Sequence, residues 1–205
     1  MARNLAPAKK SSFPVWAWVL VVILGVILLA TLWLVGVYNG LISSQGTVQN
    51  SWAQVETEYQ RRADLVPQLV STVEGAADFE KSTLTEVTSA RTNWLNTQSS
   101  GASIEDQMAA GSTFDSAFSR LLVSVEAYPT LTATDTFKTL QAQLEGNENR
   151  IAVARMDYNA VATTYNVKIR RIPTNLLAAL FGFDEFPLFE SSSGSETAPT
   201  VEFDF

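Results

Sequence analysis

The sequence predicts an all-α protein in which one N-terminal transmembrane helix is followed by an antiparallel up-and-down four-helix bundle. Three observations carry that prediction. A run of about 23 residues, Val15 to Val37, holds no charge. From Leu41 to Ile169 apolar side chains recur at spacings of three and four, the period of one helix face. Before the C-terminal tail no stretch alternates with period two and β-branched enrichment, and the connections are short, which favours neighbouring helices packed antiparallel.

At 1.5 Å per residue the apolar run is long enough to cross a hydrocarbon core of about 30 Å. Arg3, Lys9 and Lys10 precede it, and the next charge is Glu56. The positive-inside tendency therefore places residues 1–14 in the cytoplasm, the span at 15–37 and the remainder outside the cell membrane. A signal peptide would have a shorter apolar core, about 7 to 15 residues, and a small-residue cleavage site. This run instead leaves through Gly36-Val37-Tyr38-Asn39-Gly40, so an uncleaved anchor is expected. Gly36 and Gly40 form a G-x-x-x-G pattern at the exit of the span, a slight indication of homo-oligomerisation.

The first bundle helix sets Leu41, Val48, Trp52, Val55, Tyr59, Val66, Leu69 and Val73 on one stripe, with Gln45 and Arg62 in the remaining seats. It is expected to reach about Ala77. Pro67 removes the bond to the Ala63 carbonyl, and because the stripe keeps its phase, a kink is preferred to a stop; the alternative is a new helix capped at Asp64. A second helix, Asp78 to about Thr97, turns Phe79, Leu84, Val87 and Trp94 inward. After the loop Gln98 to Ala102, Ser103 and Asp106 resemble a capping box that starts a third helix. Its stripe is Ile104, Met108, Gly111, Phe118, Leu121, Leu122 and Val125, and Tyr128-Pro129 ends it. The fourth helix begins near Thr134 or Asp135 and presents Phe137, Leu140, Leu144, Ile151, Ala154, Tyr158, Ala162, Tyr165 and Ile169 before Pro173. In up-and-down order it returns Lys168, Arg170 and Arg171 toward the membrane, and these cations also suit the negative end of its dipole.

The 14 N-terminal residues hold three basic side chains and no acid, leaving 11 basic and 21 acidic residues after them. An exported surface that acidic repels nucleic acid, so no nucleic-acid partner is expected. The chain has neither cysteine nor histidine. Disulfides, thiolate and Ser-His-Asp nucleophiles, the usual zinc ligands and a phospho-accepting histidine are excluded with them. No enzyme activity, catalytic residue, metal or cofactor is expected.

Three groups of residues stand out as candidates. Arg62 with Asp64, and Glu148, Asn149, Arg155, Asn159 and Asn166, are polar residues on inward faces, where charges are costly unless paired, so a shared buried network is expected. Its structural role is to fix register; the alternative is a ligand-sensing or ligand-binding module. Eight large apolar side chains follow Pro173 within 14 residues. At roughly 1.5–3 kcal/mol each they need cover, either by folding back onto the bundle or by Leu176, Leu177, Leu180, Phe181 and Phe183 lying in the outer lipid surface. Residues 191–205 are expected to form a flexible tail, whose Val201, Phe203 and Phe205 alternate with acids, a pattern able to add as a strand to a partner's sheet edge.

Taken together, Gln60-Arg61-Arg62-Ala63-Asp64-Leu65-Val66-Pro67-Gln68-Leu69-Val70, the run Glu80 to Arg91, Leu144-Glu145-Gly146-Asn147-Glu148-Asn149-Arg150-Ile151, and the later Tyr158-Asn159 and Tyr165-Asn166 resemble the LemA family. The resemblance spans roughly residues 38–190 and implies one anchor and a four-helix domain in a bacterial membrane protein. It carries no catalytic motif. The expected function is therefore a non-enzymatic interaction or scaffold protein of the cell envelope, partnered by the membrane and by other envelope proteins, with Gln98 to Ser103 as a place for partner preference.

Overall fold

The computed structural model describes residues 15–75 and 79–190. They form six helices, α1 (Val15–Glu74), α2 (Lys81–Ser99), α3 (Ile104–Val125), α4 (Pro129–Thr132), α5 (Asp135–Arg170) and α6 (Thr174–Phe181), with no strand among the described residues. The chain divides into two units between Ser43 and Ser44, and α1 contributes to both.

In the first unit the large apolar side chains of α1 stand open, with Trp16 66% and Leu29 67% exposed. Such a surface is unfavourable in water and ordinary in lipid. Among the described residues α1 is the one helix long and apolar enough to cross a membrane.

The second unit is a helical bundle. Val48, Trp52, Val55, Tyr59, Arg62, Val66, Leu69 and Val73 of α1 are all buried, and so are the nine apolar residues expected to face inward on α5. α1 continues helically through Pro67 to Glu74, so no new helix starts at Asp64. The Ala63 carbonyl that Pro67 deprives of its donor receives the Nε–H of Arg91, from α2, at 2.6 Å. A neighbouring helix thus satisfies the acceptor that the proline leaves free.

α2 begins at Lys81, later than expected, and buries Phe79 just before it together with Leu84, Val87 and Trp94. It turns into α3 through Ser100 to Ala102, where Gly101 takes φ +67°, a left-handed conformation suited to glycine. Ser103 then caps α3, accepting the Asp106 backbone N–H at 3.1 Å. On α3 the expected Gly111, Phe118, Leu121 and Val125 are buried, and Gln107, Ala110, Phe114 and Ala117 join them, while Ile104, Met108 and Leu122 are only half-buried. At Gly111 the packing is tight, since a Cβ there would lie 3.1 Å from the Tyr59 ring and 3.4 Å from Trp94. Its missing side chain admits the Tyr59–Trp94 stack, whose centroids are 4.5 Å apart.

Pro129 opens the short α4, an unforeseen turn that buries Leu131. Thr134 caps α5 by accepting the Phe137 N–H at 3.3 Å. α5 ends at Arg170, ahead of the cis Ile172–Pro173 peptide. α6 stops at Gly182, in the left-handed region at φ +71°, and an extended segment continues to Glu190.

Candidate functional site

The buried centre of the bundle is an ion cluster drawn from three helices. Arg62 of α1 is 2% exposed and bonds Asp115 of α3 through Nη1 and Glu148 of α5 through Nη2. The other Asp115 oxygen accepts from Nη2 of Arg155, on α5, and from the Tyr59 hydroxyl at 2.9 Å. Arg155 also donates to the Tyr59 oxygen. Two guanidiniums and two carboxylates make the cluster neutral at pH 7, as burial requires. Aromatic faces cover the cations: Arg62 lies 5.1 Å from the Phe118 centroid, and Arg155 lies 5.3 Å from Tyr59 and 4.9 Å from Phe189. Burial pushes the Asp115 carboxyl up to about 6; Arg62 opposes that shift and Glu148 adds to it. Burial lowers Arg155 as well.

Of the polar residues singled out from sequence, the structure brings Arg62, Glu148 and Arg155 together. Asp64 is exposed and accepts a bond from Gln60 at 2.8 Å, one turn back on its own helix. Asn149 is exposed too. Each sits one or two positions from the inward stripe, and 100° per residue carries it to the outer face. The acid that answers Arg62 is Asp115, which sequence reasoning missed although it fills the empty seat between Gly111 and Phe118 in the expected α3 stripe. Asn147 was missed as well. It is fully buried and donates to the Glu58 carbonyl of α1 at 3.0 Å. The empty seat between Leu144 and Ile151 in the α5 stripe was its signal.

Asn159 and Asn166 do something else. The Asn159 amide bridges one residue of the extended segment, accepting the Phe189 N–H at 2.9 Å and donating to the Phe189 carbonyl at 2.8 Å. Asn166, one heptad later, does the same for Phe186, at 2.9 and 2.8 Å. Tyr158 donates to the Pro187 carbonyl at 2.8 Å. Phe189 stacks on Trp52 with centroids 5.9 Å apart and meets Tyr158 edge-on, while Phe186 meets Tyr165 edge-on at 5.1 Å. The repeated Tyr-Asn pair on α5 is thus a two-rung clamp.

Burial pushes the Tyr158 hydroxyl up to about 12, and it raises Tyr165 with Asp184 adding to the effect. Because the folded value for Tyr158 exceeds its ordinary 10.0, its contribution to stability is complete below pH 10 and is lost as pH rises through about 12. The urea midpoint, followed by circular dichroism, should fall across pH 10 to 12. Tyr158→Phe should remove that component of the fall, and an unchanged profile in this variant would refute the assignment.

The apolar segment after Pro173 divides between two faces. Leu177 and Phe183 are buried, correcting their placement in a lipid-facing set, because α6 turns Leu177 and Ala178 inward and its C-terminal turn folds Phe183 beneath. Leu176, Leu180 and Phe181 stand 70%, 74% and 54% exposed. Val201, Phe203 and Phe205, with Arg3, Lys9 and Lys10, lie outside the described residues.

Comparison with known proteins adds a family match. The model of the LemA family matches residues 51–203. Magnetosome proteins MamQ 1 and MamQ 2 of Paramagnetospirillum magneticum are each 29% identical to this chain over 214 residues, covering 93% of it and 78% of themselves. Protein LemA of Metamycoplasma hominis is 26% identical over 158 residues, covering 77% of this chain and 71% of its own.

Proposed function

The chain belongs to the LemA family, and from that premise we propose that it is a membrane-anchored, non-enzymatic scaffold of the bacterial cell envelope. The observation that carries this reading is how the polar side chains of the bundle are used. Arg62 and Arg155 are engaged by Asp115 and Glu148 of the same bundle, and Asn159 and Asn166 hold the chain's own backbone. Groups spent in this way build a rigid body that presents its outer faces. The proposed organisation is a cytoplasmic N-terminus over 1–14, a transmembrane helix over 15–37, an extracytoplasmic up-and-down four-helix domain over 38–190 and a tail over 191–205. Photoreactive residues at Ser100, in the α2–α3 turn, and at Leu180 test it in native membranes. A discrete protein adduct is expected, and its absence at both positions would refute the scaffold reading.

The exposed face of α6 fits the outer lipid surface. Leu176 and Leu180, four residues apart on α6, are 70% and 74% exposed, and Arg171 and the 84% exposed Ile172 stand just before the helix. An apolar face flanked by a cation is the pattern of an interfacial helix. Since the chain has no native cysteine, Leu180→Cys carries a single fluorophore cleanly. Quenchers borne on lipid tails should reduce its emission several-fold more than a label at Ser100→Cys; equal quenching would rule the contact out.

A second reading, a ligand-binding module, has one observation in its favour. Glu148 is 61% exposed at the rim of a groove of about 550 Å³ between α3 and α5, lined also by Phe118, Leu122, Phe137 and Leu144. A small amphipathic cation that raises the melting temperature, with the shift lost in Glu148→Gln, would favour it.

A further inference from the structure

We propose that the groove along α5 and α1 is a peptide-binding site for extended segments carrying two aromatic residues three apart, filled in cis by Phe186–Phe189 and open to the same segment of a second copy of this chain. The site has the two parts that peptide recognition needs. Asn159 and Asn166 each grip both the N–H and the carbonyl of one residue. Those bonds are made to backbone, so they hold any extended chain in register without reading its sequence. Specificity comes from the rings. The Phe189 seat is built by Trp52, Tyr158 and Arg155, and the Phe186 seat by Tyr165. Leu188 between them is 40% exposed and is not read.

The ligand is suited to the groove before it binds. Proline disfavours helix in the residue before it, so Phe186-Pro187 is biased toward the extended form that the clamp accepts. Beyond Phe183, whose N–H bonds the Ala178 carbonyl at 2.9 Å, the segment has no strand or helix of its own. It reaches the groove through Gly182 at φ +71°, a position that glycine occupies without strain and from which it can leave as readily.

A second copy is the occupant because it carries both halves. Each chain carries the groove and, in Phe186–Phe189, the segment that fills it, so exchange between two copies preserves every contact and closes with two-fold symmetry. In cis the tether supplies an effective concentration in the millimolar range, which keeps isolated copies self-filled. Crowded copies exchange. This site is independent of the lipid contact proposed for α6.

Complementation between two full-length variants in detergent tests the proposal. One carries Asn159→Ala and Asn166→Ala, which removes the clamp and keeps the segment; the other carries Phe186→Ala and Phe189→Ala, which removes the ligand and keeps the groove. With different affinity tags, each should retain the other at least tenfold more than it retains itself. Equal retention in the self and mixed samples, both folded by circular dichroism, would overturn the proposal. So would capture of a foreign protein by the groove-intact variant with no capture of the other variant. If either variant fails to fold, the unaltered full chain is treated with a peptide of residues 184–190 bearing a benzophenone in place of Phe189. Adducts on Trp52 or its neighbours, competed by the unlabelled peptide, are expected, and no adduct up to millimolar peptide would overturn the site.

Discussion

Replacing Arg62 by alanine is expected to destabilise the bundle by about 3–5 kcal/mol, the cost of removing one partner from a buried ion cluster. Arg62 is 2% exposed, and its guanidinium spans Asp115 and Glu148 while covering the Tyr59 and Phe118 rings. Its loss leaves Asp115 with Arg155 and Tyr59 only and opens a hole at the junction of α1, α3 and α5. Glu148→Ala should behave differently. Its carboxylate is 61% exposed, so water replaces much of what the pair supplies and the expected loss is about 1 kcal/mol or less. Urea titrations of the two variants check the contrast. A loss of 3 kcal/mol or more from Glu148→Ala, or below 1 kcal/mol from Arg62→Ala, would show that the cluster is built around the wrong centre.

Trp94→Ala is expected to cost a similar amount, about 3–5 kcal/mol, by a different mechanism. Trp94 is fully buried, and its indole N–H makes no hydrogen bond in the protein. The loss is therefore one of packing: the stack on Tyr59 disappears and a cavity opens beside Gly111. Trp94→Phe should recover more than half of it. Because Arg62 and Trp94 both pack on Tyr59, their effects should not add, and a double-mutant cycle should give a coupling of about 0.5–3 kcal/mol. Independent losses would mean that Tyr59 does not transmit between the ion cluster and the aromatic stack.

Much of the fold is legible in the sequence because helix periodicity is a local property. Residues three and four apart share a face whatever surrounds them, so the α1 and α5 stripes follow directly from residue spacing, and an unbroken phase across Pro67 argues for a continuing helix. The same logic marks the uncharged run of α1, whose length matches a bilayer. It is less complete on α3, where Gly111, Phe118, Leu121 and Val125 face inward as expected but Ile104, Met108 and Leu122 give way to Gln107, Ala110, Phe114 and Ala117. There tertiary packing adds what spacing does not show, since only the Tyr59 and Trp94 rings explain why position 111 has no room for a Cβ.

Partnership is the part that sequence alone does not determine. Arg62 announces a missing acid, and the nearest candidate along the chain, Asp64, points outward, whereas the one that pairs lies 53 residues away. Which acid reaches it depends on the rotation of α3 about its own axis, set by the packing of three helices at once. Asn159 and Asn166 show the same division. Spacing puts them on one face of α5, but only the path of the chain after Gly182 makes that face a clamp. The sequence by itself thus determined the long apolar run, the helices and most of their inward faces, since each depends on local residue spacing. Tertiary structure decided which charges meet and what the asparagines hold, since those depend on segments that only packing brings together.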